Sequence, residues 1–162
     1  MPVGIEEVLF AFLIGGIAAV IYQVVFSKRC ERGERLVGIT LFVLALTVAA
    51  FLVLKHSGFN TIWASTDALF LGAFLMIAIN RSLFVDSVMS AVLIVALVYP
   101  LYWVLFAVFP EAHTIFWVSG GLSGINLLGA PVEEMVWFAA WAMFAGILYR
   151  FYKGSTSAKV LL

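Results

Sequence analysis

Two adjacent carboxylates, Glu133 and Glu134, follow Pro131 at the mouth of an apolar run from Met135 to Tyr152. Ionisable groups at membrane depth are costly, and each is a functional candidate by default. Proline suits the first turn of a helix, where its missing N–H would have no intrahelical partner, so both glutamates fall in that turn. Acidic side chains also collect at helix starts because they meet the positive end of the helix dipole. One such pair would be explained equally well as a cap, but the chain carries a second. Gly4-Ile5-Glu6-Glu7 opens the first apolar run, Val8 to Phe26, and superposing the two pairs lays Phe10 on Trp137 and Tyr22 on Tyr149. Two neighbouring carboxyls do not both ionise cheaply, which favours one neutral acid beside one carboxylate, a unit able to give a proton and take one back. Helical spacing sets Glu133, Trp137, Trp141 and Phe144 on one stripe with Phe138 beside Glu134, and Glu6 with Phe10 repeats its start. Ring faces one turn from an acid can steady a passing cation. Aromatics at this spacing also serve plain packing.

The elements that must position these residues are membrane helices. Of the 162 residues, 65% are hydrophobic and 11% charged, and the mean hydropathy is +1.15. A soluble domain of this size cannot hide so much apolar surface, and continuous apolar runs of about 20 residues satisfy their backbone in lipid as helices. The expected fold class is all-α: a polytopic membrane protein with five spanning helices and the remnant of an internal repeat. Helix one covers Glu6 to Phe26, helix two Leu36 to Leu54, helix three Ile62 to Ile79 and helix four Leu83 to Phe109, with a kink at Pro100. Helix five starts at Pro131. A short interfacial or half-helix is expected around His113 to Asn126, broken by Ser119-Gly120-Gly121-Leu122-Ser123-Gly124. The charged segment Ser27 to Arg35 reads as a solvated loop.

Basic residues in short loops set orientation. If the His113 to Asn126 piece does not cross, Lys28, Arg29, Arg32, Arg35, Arg81, Arg150, Lys153 and Lys159 share one side, and Lys55 alone lies on the other. This predicts a cell-membrane protein with its N-terminus outside, its C-terminus in the cytoplasm, and both Glu-Glu pairs at the outer level. Zero formal net charge without a basic block argues against nucleic acid as a partner. The lone Cys30 allows neither an internal disulfide nor a cysteine metal cluster. His56 and His113 read as solvated loop residues, and no metal-ligand spacing occurs. Asp86 is expected to pair with Arg81, and Asp67 to be hydrogen-bonded packing or an outer-layer site member.

Pro131-Val132-Glu133-Glu134 opening an apolar helix, with its second copy Gly4-Ile5-Glu6-Glu7, resembles the Pro-x-Glu-Glu signature of the small membrane lycopene cyclases. In that family two homologous membrane domains, on one chain or two subunits, cyclise the ends of linear carotenoids without net redox change. The resemblance treats residues 1–30 as the last helix of a first repeat and residues 31–162 as a second repeat with a C-terminal tail. Gly4 stands where the motif has proline, and the helices expected before the first pair are missing. The resemblance therefore implies a piece of a longer protein or one member of a split pair.

The mechanism it implies is acid–base. A protonated Glu adds H⁺ to the terminal C1=C2 bond, the tertiary cation is attacked by C5=C6, and a carboxylate removes a proton to leave a β-ionone ring. By motif position the catalytic residues are Glu133 and Glu134, with Glu6 and Glu7 as the equivalent pair. The sequence does not divide the acid and base roles between them. Trp137, Trp141, Phe10 and Phe138 are the substrate-binding candidates. The implied partners are a linear carotenoid, the lipid bilayer and a homo- or hetero-oligomer with a homologous cyclase subunit; no cofactor is implied. Dinucleotide-dependent cyclases need a Gly-x-Gly-x-x-Gly turn after a strand, and the serine-glycine stretch lacks that spacing. A CAAX-type intramembrane protease would carry Arg four residues after the second Glu, where Ala11 and Phe138 stand. A transporter or assembly subunit is the nonenzymatic alternative, and it would need Asp67 and Asp86 on one shared water-filled path.

Overall fold

In the computed structural model the described residues are 5–26, 29–30, 33–111, 123–127, 129–154 and 157–158, without the side chains of 6–8, 29–30 and 157–158. Five long helices make up nearly all of it: α1 Ile5–Val25, α2 Val37–His56, α3 Thr61–Ile79, α4 Phe84–Val108 and α5 Val132–Tyr152. A 3₁₀ turn, Arg81–Leu83, joins α3 to α4. Among the described residues four helices are long and apolar enough to cross a membrane, and the described part of α1 adds a shorter apolar helix, Leu9–Val25. The boundaries lie within two residues of those read from the runs. Helix α4 continues unbroken through Pro100.

The helices are apolar on most sides, as membrane helices are. Their outward faces carry large exposed side chains such as Phe42, Leu52, Phe74 and Trp103. Helix α5 is the centre of the bundle. It touches all four other helices, and 56% of its most apolar stretch is buried, against 17% for α2 and α4. One of its sides packs Ala140, Phe144, Ile147 and Phe151 against Val43, Leu69, Ala73 and Met76 of α2 and α3. Another packs Phe138 and Ala142 against Ala18 of α1 and Ile94 and Val98 of α4. Close approach depends on two glycines. A Cβ on Gly72 would lie 2.6 Å from the Phe144 ring, and one on Gly146 would lie 2.7 Å from Ser90 Cβ. Two hydroxyls of α2 are satisfied locally: Thr40 and Thr47 donate to the carbonyls of Leu36 and Val43, four residues back.

Contacts along α5 fix the directions of its neighbours. Phe10 meets Phe138, Gly15 approaches Trp141, and the Ala18 carbonyl lies beside Gly146, so α1 runs parallel to α5. Asp86 near the start of α4 meets Arg150 at the end of α5, while Tyr102 near the end of α4 meets Glu134 at the start of α5. Helices α4 and α5 are therefore antiparallel, and the segment joining them begins and ends at the same end of the bundle. The half-helix expected around His113 to Asn126 falls largely outside the described residues, and its last part, Ser123 to Asn126, is not helical. Instead Asn126–Leu127 (β2) pairs antiparallel with Ala130–Pro131 (β3), turning at Gly129, whose φ of +97° suits glycine. At the opposite end Arg29–Cys30 (β1) pairs antiparallel with Ser157–Ala158 (β4), and Leu36 N–H donates to the Tyr152 carbonyl at 2.9 Å. The charged segment is thus tied at Arg29–Cys30 to the tail, where the sequence suggested a plain solvated loop.

Candidate active site

Pro131 is the N-cap of α5, one residue ahead of the helix, and has no side chain able to cap it. The first turn of a helix leaves backbone N–H groups without intrahelical acceptors. Glu133 and Glu134 occupy that turn, as the motif predicted. The β2–β3 hairpin folds against it: Val132 N–H donates to the Ile125 carbonyl at 3.0 Å, and Ser123 N–H donates to Glu133 Oε1. Glu133 is 1% exposed, and its second oxygen, Oε2, is buried without a hydrogen-bond partner. Burial of that oxygen disfavours the anion, while the Ser123 N–H on Oε1 favours it.

Glu134 is half-buried and turns toward α4, where the Tyr102 hydroxyl donates to its Oε2 at 3.4 Å. The two adjacent acids thus stand in different surroundings, one closed in by backbone and the other in contact with a phenol. Below them lies an aromatic floor. Trp137 and Trp141 stack nearly parallel, 5.9 Å apart at 8°, and Trp137 Nε1–H donates to Ser65 Oγ of α3 at 3.1 Å. Phe138 is fully buried, with the rings of Phe10, Tyr102 and Trp137 set edge-on around it at 6.0, 6.0 and 5.2 Å.

The structure therefore brings together Glu133, Glu134, Phe10, Trp137, Phe138 and Trp141. Glu6 and Glu7 lie in the first turns of α1, and their side chains fall outside the described residues. Continuing the register set by Phe10 and Phe138 upward by one turn brings helix position 6 to the level of Glu134. The sequence reading missed Tyr102, Ser65 and Ser123. Tyr102 and Ser65 lie inside apolar runs, where one hydroxyl gives no pattern, and Ser123 contributes a backbone N–H that carries no sequence signal.

The remaining acids are placed elsewhere. Asp86 does not pair with Arg81; it forms a buried ion pair with Arg150, each 2% exposed in its side chain. Arg81 sits in the 3₁₀ turn, five positions earlier on the same chain segment, whereas Arg150 projects from the neighbouring helix. Asp67 faces outward on α3. The two aspartates therefore share no path of the kind a carrier would need.

A family model described as lycopene cyclase matches residues 60–152, which takes in α3, α4, the hairpin and all of α5. No curated protein and no solved structure matches the chain. The match spans more than half of the chain and contains the paired glutamates with the rings beneath them: the chain belongs to the lycopene cyclase family.

Proposed function

We propose that this chain closes the linear end group of a carotenoid such as lycopene into a β-ionone ring, with Glu133 as the proton donor and Glu134 as the base. Glu133 adds H⁺ to C2 of the C1=C2 bond, leaving a tertiary cation at C1. The C5=C6 π electrons attack C1, forming the C1–C6 bond and moving the cation to C5. Glu134 takes the C6 proton, and C5=C6 is restored within the ring. The proton lost by Glu133 equals the one gained by Glu134, so proton transfer between neighbours resets the pair and no oxidant or reductant is consumed.

The observation that supports this division of roles is the asymmetry of the pair. Glu133 is closed off from water and keeps Oε2 unpartnered, as an acid that must protonate an alkene requires. Glu134 is less enclosed and meets the Tyr102 hydroxyl rather than backbone, which leaves it open to take a proton. Trp137 and Trp141, one and two turns below Glu133, supply ring faces to the cation. Phe10 and Phe138 back them.

Glu6 and Glu7 are the equivalent pair of a first repeat, residues 1–30, and residues 31–162 form the second. The substrate comes from the bilayer of the cell membrane, the acids lie at the outer level, and the C-terminus faces the cytoplasm. A homologous cyclase subunit, or a second copy, completes the assembly. The test is expression in lycopene-accumulating cells, alone and with a homologous subunit, with pigments separated by chromatography. Glu133→Gln keeps the shape and removes the acid, and should lower ring formation by roughly a hundredfold or more while the protein still inserts. Ring formation at the parental rate in both Glu133→Gln and Glu134→Gln would reduce the pair to a helix cap.

A further inference from the structure

Resting on the proposed cyclase activity, we infer that the unreacted length of the polyene lies in an apolar groove running down α5 from Trp137 to Tyr152, along α2, with α3 beside its upper part and α1 beside its lower part. Two cavities make up this groove. The upper one, about 230 Å³, lies between α2, α3 and α5 and has Ser65, Trp137 and Trp141 in its wall. The lower one, about 580 Å³, lies between α1, α2 and α5 and runs past Gly16 and Leu44 to Tyr152. Trp141 lines both, so the two adjoin at its ring and follow one another down the helix. Its α5 wall continues the stripe that begins at Glu133.

Length and stiffness select the occupant. From Trp137 to Tyr152 the helix rises roughly 22 Å at about 1.5 Å per residue. A conjugated polyene cannot coil, and a C40 chain is comparable in length to the hydrocarbon core of a bilayer, about 30 Å. With one end group at the glutamates, the rest must run straight toward the other end of the bundle. A flexible acyl chain would need no straight wall. The groove on the α4 side, about 630 Å³ and lined by Ala96, Tyr99 and Ala139, serves this role poorly, because its lining takes in neither Trp137 nor Trp141. Gly16 borders the lower stretch and faces open space, since a Cβ there would meet nothing within 4 Å.

Lycopene is achiral, so its visible bands acquire circular dichroism only when it is held in a chiral site. The full-length protein in detergent, titrated with lycopene, should show this induced signal. Gly16→Phe and, from the opposite wall, Leu44→Trp should weaken lycopene binding at least tenfold, whereas Ala96→Phe in the α4-side groove should leave it unchanged. Glu133→Gln should keep the induced signal while losing ring formation in cells. Parental binding by both blocking variants, loss of binding in Ala96→Phe, or no induced signal from the parent would each overturn the groove. Should Glu133→Gln and Glu134→Gln both still form rings while the blocking variants lose binding, the acid assignment fails and the groove stands.

Discussion

Replacing Arg150 by Met should strongly destabilise the bundle, and the structure says why. Asp86 is 1% exposed and Arg150 2%, and the two form an ion pair between the first turn of α4 and the last turn of α5. Removing one partner of a buried pair leaves the other charge without compensation, which costs about 3–5 kcal/mol. Since about 1.4 kcal/mol is a factor of ten in an equilibrium constant, the folded-to-unfolded ratio should fall by roughly two to three and a half orders of magnitude. Asp86→Asn should cost less, because the amide can still hydrogen-bond to the guanidinium. The double variant Asp86→Leu with Arg150→Met removes both charges and should recover most of the loss, since an apolar pair of similar volume is often no worse than a buried ion pair. Unfolding by titration with a denaturing detergent in mixed micelles, followed by tryptophan fluorescence, would measure all three together with the Asp86→Leu single. A loss below about 1 kcal/mol for Arg150→Met, or a double variant as unstable as the sum of its singles, would refute the reasoning.

Three further outcomes follow from the same geometry. Trp137→Ala should leave an inserted but slower enzyme, by about tenfold for roughly 1–2 kcal/mol of lost cation stabilisation, read as ring formation per hour in membranes. Tyr102→Phe keeps the ring packed on Phe138 and deletes the hydroxyl that reaches Glu134; the loss of about 1 kcal/mol from one long hydrogen bond should slow ring formation about fivefold without changing thermal stability. For orientation, a cysteine at Ser57 should react with an impermeant reagent from outside and one at Ser155 only after permeabilisation, and labelling of both from one side would reverse the argument from the basic residues.

Much of the fold was legible because lipid imposes a single rule, that backbone polar groups be satisfied within a segment. Runs of apolar residues therefore became helices with nearly the expected ends. The acid pair was legible for a related reason, since charges are rare in such runs. Where tertiary contact decided, the sequence was silent or misleading. Asp86 was assigned to Arg81, five positions away, because local charges are what a linear reading sees. The actual partner, Arg150, became available only when α5 folded back antiparallel along α4. The hydroxyls of Tyr102 and Ser65 acquire a role through their helix neighbours, and no spacing within their own runs announces it.

The placement of α1 bears on why the device appears twice. Phe10 meets Phe138, and Ala18 lies beside Gly146 at the same offset along both helices. Superposing the two Glu-Glu pairs by sequence requires a shift only one residue smaller. The duplicated helices are thus packed side by side, parallel and level. Parallel neighbours are what two repeats related by an axis along the membrane normal would produce. Inverted repeats would set the two pairs at opposite faces of the membrane, out of reach of one end group. Side by side and level, helix positions 6 and 7 of α1 stand at the height of the first turn of α5. On the proposed reading, a dry site that must handle a cation gains from such an arrangement, because each added carboxyl at that level raises the cost of ionising all of them together. The sharper expectation is that Glu6→Gln and Glu7→Gln change the rate through the protonation of Glu133, shifting the pH profile of ring formation rather than simply lowering its ceiling. A profile that drops uniformly without shifting would assign the first pair a packing or assembly role instead.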